Sequence, residues 1–301
     1  MKRNAWIVAG VIALTAWATG VSGAEERGSF ERSLEVTGRV ELDVRTGSGS
    51  ISVKTGGDGV VRIHGKITAR KAGAAAKIGR LEANPPIEQN GNVISIGEID
   101  DRDLRRNVSI SYEIVVPANT ELVAKSGSGS QSIGDIAGPV EASSGSGSLQ
   151  IGSIGGNVTA STGSGSIRVE AVTGALRAET GSGSVVLEET AGDVEVETGS
   201  GSVRVHGVRG ALEVSTGSGA IEAEGDLAAD WRLNASSGGI RVRIPSDAAF
   251  ELRARTSSGH IDSDHPVTVV GKLSRKELNG TVRGGGPRLD LKTSSGSIRI
   301  R

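Results

Sequence analysis

The chain of 301 residues contains no cysteine. That excludes disulfides, thiolate metal sites, a cysteine nucleophile and a lipid-modified cysteine anchor. Aromatic residues make up only 2% of it. Trp6 and Trp17 lie in an N-terminal apolar segment, which leaves Phe30, Tyr112, Trp231 and Phe250 for the rest. A core must therefore be assembled from Val, Ile, Leu and Ala, and it should be thin. A sugar-binding surface built on aromatic platforms has little to draw on. The formal net charge is −1, so the basic excess that marks nucleic-acid binding is missing. The length allows one or two domains.

The first residues read as an export signal. Lys2 and Arg3 precede an apolar run from Ala5 to about Val21, and the small residues Ser22-Gly23-Ala24 follow. This order of charge, apolar stretch and small residues is what signal peptidase recognises. Cleavage is expected after Ala24, with an uncleaved anchor as the alternative. Gly10, Thr15, Thr19 and Gly20 dilute the run, which is shorter than the roughly 20 residues that span a bilayer. No later transmembrane run follows. The protein is thus expected in the periplasm, on the cell surface or secreted.

What the sequence has in abundance is glycine, 46 residues of it. Thr-Gly-Ser-Gly-Ser or a close variant recurs, placing its second glycine at Gly129, Gly147, Gly165, Gly183, Gly201 and Gly219, each 18 residues after the last. Looser copies give Gly238, Gly259 and Gly296, and a detached early copy gives Gly49. A flexible linker has no reason to keep a fixed period, whereas a stack of repeating units does. In "TGSGSIRVEAVTGALRAE", apolar residues alternate in Ile-Arg-Val and again in Leu-Arg-Ala. Alternation marks a strand with one buried face. Each copy is then two short strands and two glycine corners, and stacking completes a core that one copy cannot close.

The fold expected is all-β: a single-stranded parallel β-solenoid with 18-residue rungs. The general crossover preference favours the right-handed form. Nine or ten such rungs would make a rod about 45 Å long at the strand spacing. The second motif glycine stays Gly in every copy, while the first becomes Ser in "ASSGGI", "TSSGHI" and "TSSGSI". The nine glycines from Gly129 to Gly296 are therefore expected at corners that need positive φ. The Thr before them should bond corner backbone. Outward columns such as Arg168, Val186, Arg204, Glu222, Arg241 and Glu170, Glu188, His206, Glu224, Arg243 should carry charge.

Residues 1–24 are the expected signal, 25–120 an irregular N-terminal β region with one short helix, and 121–301 the solenoid with an insertion at 264–292. The helix is expected over about 72–83, stopped by Pro85-Pro86. Asn90-Gly91 predicts a tight turn between two strands. The strand "SIRIR" closes the chain. It is expected to form the open end of the rod, where Arg299 and Arg301 would either guard the edge or admit an acidic partner strand or a second copy end to end. The alternative is that the insertion folds over it.

This layout resembles the bacterial putative-adhesin family, exported β-strand-repeat proteins with a domain of unknown function. The residues that carry the resemblance are Val115-Val116-Pro117, the serial "TGSGSI" rungs, "SSGGIRVRIPSDAAFELRARTSSGHID", "SDHPVTV", "LNGTVRGGG" and "LKTSSGSIRI". They cover about residues 35–301. The resemblance implies a parallel β-solenoid of the cell envelope and brings no catalytic residue with it.

Candidate chemistry is sparse. His260, Asp262, Asp264 and His265 form the one His/Asp cluster, and such side chains could hold a metal. Asp and Pro are equally turn formers, so no metal and no cofactor is expected. Calcium-repeat ligand positions lack Asp. No Gly-Lys-Ser/Thr follows the glycines, which excludes a phosphate loop. Glu170, Glu179, Glu188 and Glu197 recur as ladders, so no glycosidase pair stands out. Trp231 falls at an inward position. The sequence therefore favours a non-enzymatic, adhesin-like binding or structural module. Its partner would be an envelope protein or polysaccharide, not nucleic acid. A regulatory or envelope-stress module contacting a membrane protein is one alternative, and a β-helix carbohydrate-active enzyme is another. Two close carboxylates in a cleft would favour the enzyme.

Overall fold

The computed structural model describes residues 26–69, 74–99, 101–269 and 274–301. The expected signal segment lies outside the described residues. Two sheets face each other, one of 13 strands and one of 14. Alternation in the sequence becomes alternation in burial: Ile167, Val169 and Val172 point inward on one sheet, Leu176 and Ala178 on the other. In the central stretch each strand pairs in parallel with the strand one repeat later, as in Ile167 with Val185 and Leu176 with Val194. The core is aliphatic, and Trp231 and Phe250 are fully enclosed in it. No helix among the described residues is long and apolar enough to cross a membrane.

The early motif copy belongs to the stack. Thr46 pairs with Ser126 and Ile51 with Gln131, so residues between them form an excursion. That excursion, together with the segment ahead of Val40, adds strands beyond the first rung. Val108–Val116 lies parallel beside Ile51–Thr55, and Val60–Ala69 and Glu26–Glu35 follow antiparallel. On the other sheet the hairpin Ile87–Asn90 and Val93–Ile96 ends the row. Gly91 takes φ 61° at its turn. The helix Ala75–Ala83 lies against the strand Glu26–Glu35, with Ile78 and Leu81 buried. A second, four-residue helix, Arg102–Arg105, has no apolar period to announce it. Asp101 caps it, accepting from the amides of Asp103 at 2.9 Å and Leu104 at 3.3 Å. With these additions the sheets run to 13 and 14 strands, about 60 Å at the strand spacing, longer than the rung count alone indicates.

The far end departs from chain order. The final strands Arg288–Ser295 and Ile298–Ile300 do not close the rod. Arg288–Ser295 lies between Trp231–Ser237 and Phe250–Ser258. Ile298–Ile300 lies between Ile240–Arg243 and Ile261–Ser263. The last rung in sequence is intercalated, one place in from the end of the 13-stranded sheet and three places in from that of the 14-stranded sheet. The expectation of an open edge at "SIRIR" is therefore wrong. The terminal strands are Ile261–Ser263 on one sheet and Val267–Val269 on the other, the latter reached through the antiparallel strand Glu277–Val282. The insertion supplies the end of the 14-stranded sheet only, since Ile261–Ser263 precedes its expected span, and the strand Arg288–Ser295 already begins inside that span.

The motif glycines are needed for a different reason from the one expected. Of the nine, only Gly219 (φ 156°) and Gly238 (φ 154°) have positive φ, close to the extended region. The constraint is contact between rungs. A Cβ on Gly183 would stand 2.1 Å from the carbonyl oxygen of Gly165, and one on Gly165 as close to that of Gly147. The corners stack backbone on backbone, and any side chain there meets the rung beneath.

The threonine column ties this stack together. Thr162 Oγ1 donates to the carbonyl of Gly147 on the previous rung at 2.9 Å and accepts from the amide of Gly165 on its own at 3.1 Å. Thr180, Thr198 and Thr216 repeat the donation at 3.0, 3.2 and 3.1 Å. All of these threonines are buried. Thr162→Val keeps the shape and removes both bonds, leaving a buried amide and carbonyl short of partners. A loss of about 2 kcal/mol is expected, with Thr162→Ser recovering most of it. Denaturant unfolding of the three proteins checks this.

Candidate functional site

The feature best placed to bind something is a groove of about 1,070 Å³ along the outer face of the 14-stranded sheet. Two columns build it. The first motif glycines, Gly163, Gly181, Gly199 and Gly217 among them, leave a notch where side chains would stand. Beside it, the outward position before each Thr forms the floor. Strand register lines up Ser161, Glu179, Glu197, Ser215, Asn234 and Lys292 on successive strands. The same row continues to Ser143 and Lys125 at one end and Arg255 at the other. Its charge therefore runs from cationic through neutral to acidic, then through neutral to cationic again. Glu179 is held by Arg177 at 2.5 Å, and Arg177 also pairs with Glu195. Glu197 and Lys292 make no ion pair among the described residues.

The geometry brings Glu179 and Glu197 side by side in register. The sequence treats them as two members of a solvated ladder, and both do remain exposed to solvent: the Glu179 side chain retains 44% of its surface. What the sequence could not show is that the glycine notch turns that ladder into the floor of a groove.

A smaller hollow of about 480 Å³ lies at the opposite corner of the same sheet. Asn157, Asp193 and Asp230 line it, and each side chain caps the next rung. Asn157 accepts from the Ala175 amide at 3.0 Å, Asp193 from that of Ala211 at 2.9 Å, and Asp230 from that of Arg288 at 2.8 Å. Sequence reading missed this column. Its signal was an Asx just before the strand on alternate rungs, with Ala175 and Ala211 between.

On the other sheet the charged columns stand as the period predicts. Arg168, Val186, Arg204, Glu222 and Arg241 are in register. Partial burial would raise the Glu222 carboxyl, but a hydrogen bond from Arg204 and the charges of Arg241, Arg204 and Arg243 hold it below the usual range. A depressed carboxyl stabilises the fold above its unfolded pKa, and that contribution fades as pH falls through the folded value.

The His/Asp cluster is divided. His260 Nε2 pairs with Asp262 at 3.2 Å, and its Nδ1 meets Ser297 Oγ at 3.0 Å. Asp264 turns to Arg301 at 3.9 Å. His265 is buried edge-on against Phe250, with ring centroids 5.4 Å apart. Among the described residues no three His, Asp or Glu side chains converge as a metal site. Dialysed protein is expected to carry no stoichiometric Zn or Ca by elemental analysis. One equivalent lost in His260→Ala would contradict that.

Comparison with known proteins gives the family. The Toastrack DUF4097 profile matches residues 32–301, and the chain belongs to that family. No curated protein matches it significantly. Several solved structures are similar over most of their length. One, described as a putative adhesin from Bacteroides fragilis NCTC 9343, is 14% identical with a TM-score of 0.41, covering 91% of this chain and 97% of its own. Another, a putative adhesin from Parabacteroides distasonis ATCC 8503, is 9% identical, also with a TM-score of 0.41 and coverages of 91% and 97%. A putative cell adhesion protein from Clostridium sporogenes ATCC 15579 is 13% identical, with a TM-score of 0.22 and coverages of 91% and 99%.

Proposed function

We propose that this Toastrack protein is an exported, non-enzymatic, adhesin-like binding module of the bacterial cell envelope. Its groove would seat an extended envelope polymer lying across the strands. The observation that carries this reading is the groove itself. One polar side chain per rung, a notch of missing side chains beside it and a length of several strands together suit a chain-like ligand better than a compact one. A rod of stacked rungs repeats its surface, and a polymer repeats its own. The test has two parts. The protein recovered from cells should have a mature N-terminus at Glu25 by mass spectrometry, and it should co-sediment with washed envelopes. Recovery of the uncleaved chain from the cytosol would end this reading.

The glycosidase reading has one observation in its favour, the Glu179–Glu197 pair in the groove. Such enzymes need one carboxyl lifted into working range by burial. Here both carboxylates face an open groove, and Arg177 keeps Glu179 paired. Glu179→Gln and Glu197→Gln should therefore leave ligand uptake intact or weakened, with no sugar released by the parent protein. Sugar release that disappears in both variants would establish the enzyme.

A further inference from the structure

The charges of this chain are segregated along the rod. Residues 121–230 carry fifteen acidic and five basic side chains, a net of −10, whereas residues 231–301 carry six acidic and thirteen basic, a net of +7. Strand order places the second group at one end and the first beside it. On the outer face of the 13-stranded sheet the segregation is drawn in a single column. Glu170 and Glu188 come first, then His206 and Glu224, then Arg243 and Arg301, with Asp264 beside Arg301 at the terminal strand. Within the chain the neighbours already pair: His206 with Glu224 at 3.5 Å and Arg243 with Glu224 at 3.1 Å.

We propose that two copies of the chain associate antiparallel, face to face, through this sheet. The two-fold axis would run parallel to the strands, between Val203–Val208 and Ile221–Gly225. An isologous contact of this kind sets each residue against its mirror position along the column. Glu170 then meets Arg301 of the second copy, Glu188 meets Arg243, and His206 meets Glu224. Every match in the column joins opposite or compatible charge, and each occurs twice. The neighbouring column sets Arg204 against Glu222, with Arg168 against Arg299 as its like-charge match. Moving the axis by half a strand spacing, onto Val203–Val208, would set Glu188 against Glu224, and moving it a full strand that way would set Glu170 against Glu224. The face of the other sheet is less complementary, since Glu195 would meet Asp290 and Arg177 would meet Arg253. Pairing through the 13-stranded sheet leaves the groove open on the opposite side.

The contact is modest. Six strands by six residues make a face of about 600 Å² per copy at standard strand spacings, below the roughly 800 Å² of a typical stable interface. Its strength must come from charge, so the dimer should be weak and strongly salt-dependent. Screening lengths fall from about 30 Å at 0.01 M salt to about 3 Å at 1 M.

Sedimentation equilibrium of the exported chain at low and high salt tests this. A dimer at low salt that dissociates at high salt is expected. Two charge-swapped variants supply the decisive arm: Glu170→Arg with Glu188→Arg, and Arg243→Glu with Arg301→Glu. Each alone should be monomeric, because its column is then of nearly one sign. Mixed in equal amounts they should form a heterodimer, since every swapped position then faces its opposite. Thermal melts of the variants establish that both are folded. A parent that stays monomeric at low salt would overturn the proposal, as would swapped variants that still self-associate or a mixture that stays monomeric. Capture of the monomeric parent by anionic vesicles would overturn it too, assigning the basic end to a polyanion.

Discussion

Gly183→Val is expected to lower the melting temperature by about 10 °C, whereas Gly181→Ser should cost only a few degrees. The two glycines stand two residues apart in the same corner, so composition and exposure hardly separate them. Their surroundings do. A Cβ at Gly183 would lie 2.1 Å from the Gly165 oxygen, 2.7 Å from its carbonyl carbon and 3.1 Å from Thr180 Oγ1. All three belong to the stacked corner and its hydroxyl ladder, and none can swing aside. Relief requires the rungs to separate, which breaks the Thr180 bond and strands on both sheets. Overpacking of this kind costs about 3 kcal/mol or more, and a domain of this size loses roughly 2–4 °C per kcal/mol. At Gly181 the nearest atom is the Gly163 oxygen at 2.6 Å. The chain itself places serine at the equivalent Ser236, Ser257 and Ser294, so a corner can shift far enough to admit it. A change there should cost about 1 kcal/mol. Differential scanning calorimetry of the two variants checks the order, and equal melting temperatures would refute the stacked-corner account.

Ile300→Pro is expected to unfold the far third of the rod, a larger effect than proline should have on a terminal strand. Ile300 is 1% exposed and pairs with Val242 on one side and Ser263 on the other. Its carbonyl accepts from the Asp264 amide at 2.9 Å, and Arg301 next to it exchanges bonds with Val242 and Ile244. A ring in this position interrupts the ladder to the terminal strand Ile261–Ser263 and empties a core site, at a cost of about 4 kcal/mol. Ser263→Pro offers the control. Ser263 sits on the outermost strand, and the Asp264 amide points inward, so alternation turns the Ser263 amide to solvent. Proline is tolerated at such a place. Limited proteolysis should release the 231–301 region from Ile300→Pro and spare it in Ser263→Pro. Equal protection of both would mean that the final strand is an edge after all.

These results mark where the sequence was legible. Period-2 alternation in Ile167-Arg-Val and Leu176-Arg-Ala gave the strands, because one buried face needs nothing but its own apolar pattern. The 18-residue spacing gave the register, because a stack repeats what each rung needs. The detached Thr46 copy carries the same motif as the later rungs, and Thr46 and Ile51 pair with Ser126 and Gln131 of the next copy. Strand order at the far end was not legible. Arg288–Ser295 and Phe250–Ser258 carry the same motif, and nothing local says which packs on Trp231–Ser237. The reason for the invariant glycine was misread for a related cause. Positive φ and close approach both demand glycine, and only the neighbouring rung tells them apart. The groove arises the same way: Glu179 and Glu197 are ordinary surface carboxylates until the glycine notch beside them is seen in three dimensions.

The most direct measurement of the account is a binding comparison across the two faces of the rod. Ser161→Trp places a large side chain on the groove floor, and Gln150→Trp places one on the outer face of the other sheet. Both positions point away from the core, so both proteins should melt like the parent. Equilibrium binding to fractionated envelope polysaccharide and protein should show the parent and Gln150→Trp alike and Ser161→Trp at least about tenfold weaker, a difference of about 1.4 kcal/mol. Equal binding by all three proteins would contradict the assignment of the groove as the binding site.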